Sequence, residues 1–200
     1  MSRPDTGPEW TLRRARATEA QILTELAHAA KRHWGYPETW MQLWRAELTF
    51  TKGYLRNHEV FVGETCGQVV GVVTLAGAPE RIMIDHFWVH PGWIGHGLGR
   101  ALFDHACTAA ARLGSRTLRV IADPHAEAFY QHMGLARTGV LPSLIPGREL
   151  PVLEMDLSPV GKLACANPPN PDDWGIITLS KKRMTCVSQS TSGITSWKRS

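Results

Sequence analysis

The stretch Ile84-Asp-His-Phe-Trp-Val-His-Pro-Gly-Trp-Ile-Gly-His-Gly-Leu-Gly-Arg-Ala-Leu-Phe103 limits the folds open to this chain more than any other. Arg81–Val89 reads as a strand and is followed at once by His90-Pro91-Gly92. Gly99–Gly114 then reads as a helix, with Ala101, Leu102, His105, Ala106, Ala109 and Leu113 inward. Between them stand Gly95, Gly97 and Gly99, alternating with His96 and Leu98. Glycines there let the backbone approach an anion, and amides at the helix start supply donors at its positive end. A diphosphate is the natural guest. The dinucleotide fingerprint would need its third glycine at position 100, where Arg100 stands, and no GxxxxGK[ST] occurs.

The flanking segments supply a sheet and its covering helices. Trp10–Arg16 fits a short strand, after which Thr18 caps a helix with Gln21 closing a capping box. Ile22, Leu23, Leu26, Ala29 and Ala30 recur along that helix, which ends near Gly35-Tyr36-Pro37. A second helix fits Glu38–Leu48, with Trp40, Met41, Leu43, Trp44 and Leu48 on one broad face. Trp34, Tyr36, Trp40 and Trp44 there either pack the core or wall a pocket.

From His58 the period becomes 2: Val60 and Val62 alternate, Thr65-Cys66-Gly67 turns the chain, and Gln68–Ala76 continues as a Val-rich strand. Arg116–Ala122 is a strand, Pro124 opens a helix carrying Phe129, Tyr130 and Met133, and Gly134 stops it. Leu135–Leu141 and Pro151–Leu157 are the last strands. This order specifies a mixed α/β (α+β) fold, with a mostly antiparallel central sheet and helices on both faces.

Charge divides the chain. Residues 158–200 hold six basic and two acidic side chains, which accounts for the entire net charge of +4. That segment, rich in Pro, Ser, Thr and Lys, reads as a basic, disordered tail with strand-like content only at Trp174–Leu179. Residues 1–9 form an N-terminal extension and 10–157 the folded domain. A folded part without net charge gives no sign of nucleic-acid binding. No apolar run is long enough for a membrane span and no secretory signal leads the sequence, so a cytoplasmic protein is expected. Cys66, Cys107, Cys165 and Cys186 lack CxxC spacing. His86 and His90 would stand roughly 13 Å apart on a strand, and no HExxH supplements them, so no metal is expected.

Val89-His-Pro-Gly-Trp-Ile-Gly-His-Gly-Leu-Gly-Arg-Ala-Leu102 resembles the acetyl-CoA motif of the GNAT (GCN5-related N-acetyltransferase) family, V-x-P-x-x-[RQ]-G-x-G-[IL]-G-x-x-L. Asp123-Pro-His-Ala-Glu-Ala-Phe-Tyr-Gln-His-Met-Gly134 resembles the family's second motif, D-P-N-A-x-x-F-Y-x-x-x-G-F. Two positions depart: Ile94 replaces the usual Arg or Gln, and His125 replaces the asparagine. The resemblance spans about Trp10–Leu157 and implies a GNAT-like sheet that binds acetyl-CoA as co-substrate.

It further implies direct attack of an amine on the thioester, without a covalent enzyme intermediate. Main-chain groups of Phe87, Trp88 and Val89 would pair with the pantetheine arm. Ile94, Gly95, His96, Gly97, Leu98, Gly99 and Arg100 would hold the pyrophosphate, with His125 nearby and Tyr130 protonating the departing thiolate. Asp85 and His86 are the candidate proton acceptors, with His33 or Glu38 within reach from the helices. Strand alternation would let only one of Asp85 and His86 face the cleft. Arg148, in the loop before the last strand, either binds an acceptor carboxylate or lies in solvent. The expected partner is a small-molecule or peptidyl amine, with a homodimer admitted and neither membrane nor nucleic acid involved. The competing reading is a CoA-binding module with weak or lost catalysis.

Overall fold

A computed structural model describes residues 10–158. The expected extension 1–9 and the tail beyond Ser158, with its stretch Trp174–Leu179, lie outside the described residues. Seven strands form one sheet: β1 (Thr11–Arg14), β2 (Glu59–Thr65), β3 (Gln68–Ala76), β4 (Ile82–Val89), β5 (Thr117–Ile121), β6 (Ala136–Pro142) and β7 (Glu149–Asp156). Their order is β1-β2-β3-β4-β5-β7-β6, and of the neighbouring pairs only β4 and β5 run parallel. The helices are α1 (Ala20–Arg32), α2 (Glu38–Leu43), α3 (Lys52–Asn57), α4 (Leu98–Arg112) and α5 (Glu127–His132).

The β2–β3 hairpin turns on Cys66 and Gly67, both at positive φ (48° and 75°). Two left-handed residues make the tight turn whose twist matches that of the paired strands. On one sheet face, Leu23, Leu26 and Ala27 of α1 pack with Met41, Trp44, Leu55, Val60, Val62 and Val72. On the other lies α4, burying Leu98, Leu102, Phe103, Ala106, Cys107 and Ala110. Full burial of a leucine is worth about 1.5–3 kcal/mol, so Leu98 and Leu102 alone contribute appreciably to seating this helix. Gly63 and Gly71 pair directly across β2 and β3 and make that seat. A Cβ at Gly63 would stand 2.5 Å from Leu98 Cδ1, and one at Gly71 2.8 Å from Leu102 Cδ1.

Several expectations need correction. Thr18 does not cap α1. A 3-10 turn, Ala17–Glu19, precedes the helix, and Glu19 rather than Gln21 closes the box by accepting from the Arg16 amide at 2.7 Å. Glu19 also holds the Arg13 guanidinium, which ties this corner to β1. The helix expected to reach Leu48 ends at Leu43 and continues as turns. Helix α3 was not anticipated; Thr51 caps it, its side chain accepting from the Tyr54 amide at 3.0 Å. Ile22, Leu43 and Leu113 are exposed, because the buried stripes run through neighbouring positions.

Candidate functional site

Strand β4 pairs with β5 only through Ile82, Met83 and Ile84. Beyond Ile84 the two strands have no pairing, and a cavity of about 930 Å³ opens at that separation. On its other edge β4 stays paired to β3, with Phe87 opposite Val73, Trp88 opposite Val72 and Val89 opposite Gly71. The His90 amide bonds to the Val70 carbonyl at 2.8 Å. Antiparallel alternation therefore turns the main-chain groups of Trp88 toward β3 and those of Phe87 and Val89 toward the gap.

The register of β3 and β4 shifts at Thr74, which stands opposite both Asp85 and His86. This bulge overrides simple alternation and corrects the expectation that only one of the two residues faces the cleft. Both line the cavity, with Asp85 Oδ2 3.8 Å from His86 Nε2. Tyr54 Oη donates to Asp85 Oδ2 and lies 3.0 Å from Thr74 Oγ1. Since a phenol has one proton and Asp85 takes it, the Thr74 hydroxyl is the donor to Tyr54. Thr74 Oγ1 in turn accepts from the displaced His86 amide at 2.8 Å. Trp88 Nε1 donates to His86 Nδ1 at 3.3 Å, which places the neutral ring's proton on Nε2. Burial lowers the His86 pKa, against the raising influence of Asp85, so the ring is neutral near pH 7. Burial raises that of Tyr54, and Asp85 adds to the shift, so Tyr54 stays a donor.

At the other end of β4 the chain passes through a 3-10 turn, Pro91–Trp93, into the glycine turn. Gly95 and Gly97 take left-handed φ of 82° and 79°, and nothing lies within 4 Å of where their Cβ atoms would be. Gly97 starts α4 without a side-chain cap, which leaves the first amides of a fifteen-residue helix for an incoming acceptor. Ile94, Gly95 and Gly99 line the cavity together with Phe87, Trp88, Val89, His125 and Tyr130. His96 leans back on the Ile94 carbonyl at 3.1 Å, Leu98 is buried under the glycine pair, and Arg100 bonds to His132 at 3.1 Å. His125 stacks on Trp34, ring centroids 5.0 Å apart.

Tyr130 packs against Phe87, Phe103 and Phe129 and is only 4% exposed. Its hydroxyl has no hydrogen-bond partner among the described residues, and the residue lines the cavity. Burial raises its pKa, and the Asp123 charge adds to that, so the phenol keeps its proton.

The sequence reading missed a charged cluster centred on Asp123. Lys31 Nζ donates to Asp123 Oδ2, as does Arg148 Nη2 at 3.0 Å; Tyr36 Oη and the His125 amide donate to Oδ1 at 2.7 and 3.0 Å. The helical period could have revealed Lys31, which follows Leu23 and Ala27 on the buried stripe of α1. Arg148 does not lie in solvent but is enclosed here, its side chain 11% exposed. His33 and Glu38 are exposed and do not line the cavity; Glu38 pairs with Arg32 at 3.2 Å. Among the described residues there is no group of three or more His, Cys, Asp or Glu that could hold a metal ion, and no helix long and apolar enough to cross a membrane.

Residues 56–134 match the family model described as an acetyltransferase (GNAT) domain. A GCN5-related N-acetyltransferase from Rhodopseudomonas palustris superposes with a TM-score of 0.62 at 20% identity, over 72% of this chain and 93% of its own. The paia N-acetyltransferase of Thermoplasma acidophilum, in complex with coenzyme A, gives 0.58 at 15% identity over 73% and 98%. The yncA protein of Salmonella typhimurium, with its cofactor acetyl-CoA, gives 0.56 at 21% identity over 75% and 95%. At these identities the likeness establishes the fold. A comparison with curated protein sequences gave no match.

Proposed function

We propose that this chain, which carries an acetyltransferase (GNAT) domain match over residues 56–134 and shares the fold of GNAT structures, transfers the acetyl group of acetyl-CoA to a primary amine by direct attack in a ternary complex. The observation that carries this reading is the Tyr130 hydroxyl, protonated and without a hydrogen-bond partner among the described residues, in the same cavity as the free edge of β4 and the glycine turn.

Acetyl-CoA supplies an activated thioester. The amides of the glycine turn and of the first turn of α4 receive its diphosphate, drawn by the helix dipole. Phe87 and Val89 offer main-chain donors and acceptors to the pantetheine arm, which takes the place of the missing strand beside β4. An amide on that edge faces the thioester carbonyl and stabilises the charge that develops on its oxygen. Asp85, its Oδ2 polarised by the Thr74–Tyr54 relay, accepts the amine proton directly or through a water. His86 lies beside it as a neutral ring, its Nε2 3.8 Å from Asp85 Oδ2. As the C–S bond breaks, Tyr130 donates its proton to the departing thiolate. His125 contributes through its ring stack with Trp34, which closes the rim of the cavity. Ile94 leaves its point of the turn to main-chain donors alone.

An acetyl-CoA-consumption screen over amino acids, polyamines, aminoglycosides and peptides, run on wild type and Tyr130→Phe, tests the reading. Tyr130→Phe removes a hydroxyl that has no partner among the described residues, so folding and coenzyme binding should hold. Its kcat should drop on the order of 10²–10⁴-fold, the usual contribution of a general acid. Coenzyme binding without turnover on any amine would instead favour the module with lost catalysis. No coenzyme binding at all would end both readings.

A further inference from the structure

Asp123 has more cationic partners than it needs. Lys31, Arg148 and Asp123 have side chains only about a tenth exposed, yet two positive charges share one carboxylate. Both oxygens of that carboxylate are committed, since Tyr36 and the His125 amide occupy Oδ1. A purely structural ion pair needs one cation, because each further buried charge adds a desolvation cost that no partner offsets. The surplus is directed. Arg148 uses Nη2 toward Asp123 and Tyr36, while its Nη1 and Nε have no acceptor among the described residues.

The guanidinium is also held in place. It lies 5.4 Å from the Tyr36 ring centroid and 5.2 Å from that of Trp44. The same two rings face Lys31 Nζ at 4.9 and 4.3 Å. Its loop is anchored by Ile145, buried in the α1-side core, and by main-chain bonds joining Arg148 to Ser143 and Ile145 at 2.9 and 3.1 Å. Lys31, Trp44, Asp123 and Arg148 all line the cavity that also contains Asp85 and Tyr130. The remaining carboxylate on the wall near Lys31, Glu47, is exposed and forms no ion pair with either cation, its charge reaching Lys31 only as the weakest of the influences on it.

We propose that Arg148, assisted by Lys31, receives the carboxylate of the acceptor, so that the acceptor is a small free amino acid whose amine faces Asp85. The proposal rests on the acetyl-transfer reading above. A carboxylate offers the planar pair of oxygens that a guanidinium edge fits, and it neutralises the extra charge. Burial already lowers the Lys31 pKa and the Arg148 charge lowers it further, a strain that an incoming anion relieves.

The test compares matched acceptors, each amino acid against its own amide, in the same acetyl-transfer assay. Reactivity alone favours the amides, whose amines are the weaker bases and less protonated at neutral pH. Wild type should nevertheless prefer the acids in kcat/KM by on the order of 10- to 100-fold, as a charge-assisted bond provides. Arg148→Gln should bring that ratio close to one through a higher KM for the acids, and Arg148→Lys should restore part of it. Asp123 keeps Lys31 in both variants, so their melting curves should show folded protein. Equal or better use of amides by wild type, or an unchanged ratio in Arg148→Gln, overturns the proposal. So does a panel in which no amino acid reacts; turnover of other amines would then keep the acetyl-transfer reading, and calorimetry with coenzyme A would show whether the cofactor site survives without it.

Discussion

At the glycine end of the cavity the groups on offer are main-chain amides from one unbroken stretch, residues 94–100, with the start of α4 behind them. Around Asp123, in the same cavity, they are side chains drawn from α1, the turns around α2, the end of β5 and the β6–β7 loop. The first end needs only a backbone path that glycines permit, so the identity of Ile94 matters little to it. The second depends on four particular side chains arriving together, and each has a separate reason to be in place. A site made of amides tolerates sequence change; a site made of buried charges does not.

Asp123→Ala should break the side-chain end most severely. It leaves Lys31 and Arg148 enclosed with no carboxylate between them, and removing one partner of a buried pair costs about 3–5 kcal/mol, readable from urea unfolding. A loss under about 1 kcal/mol would mean that the cluster behaves like a surface ion pair. Acid should reach the same weakness in wild type. Burial alone would raise the Asp123 pKa, but the Lys31 charge and hydrogen bond hold it below the ordinary 3.8. The stability it contributes is therefore complete above about pH 4 and lost as pH falls through the lowered folded value.

The Asp85–His86 pair lies between the two ends in sensitivity and should reveal itself in the pH profile. With burial holding the His86 pKa below the ordinary 6.5, kcat/KM should hold level down to about pH 6.5 and decline only below it. An acid limb centred above 6.5 would show a charged ring and contradict the Trp88-to-Nδ1 assignment. Ile94→Arg should give the smallest change, and in the favourable direction. One added side-chain donor at a main-chain anion site is worth about 0.5–1.5 kcal/mol, seen as tighter coenzyme A binding by calorimetry; weaker binding would mean that the side chain cannot reach the diphosphate.

The glycine end was legible in the sequence because its residues are contiguous and its chemistry follows from backbone geometry. Strand–glycine–helix is a local pattern, as is the Cys66-Gly67 hairpin. The bulge opposite Thr74 was not legible: it inserts no glycine or proline, and its signal is a register offset that only pairing reveals. Tyr54 went unnoticed with its short helix, although Thr51 three positions earlier was a fair capping signal. The Asp123 cluster was hidden by distance, since its members lie 92 and 25 residues from Asp123 along the chain. A lysine on a helix ordinarily reads as solvated, and only the stripe through Leu23 and Ala27 points it inward.

Asp123 also starts the 3-10 turn Pro124–Ala126, its Oδ1 accepting the His125 amide, and that turn leads straight into the helix of Tyr130. The oxygen shared with Tyr36 is thus the pivot on which α5 is hung. One carboxylate thus serves two masters, capping the turn that leads into the helix of Tyr130 and neutralising Lys31 and Arg148, so that its loss would unfasten both at once.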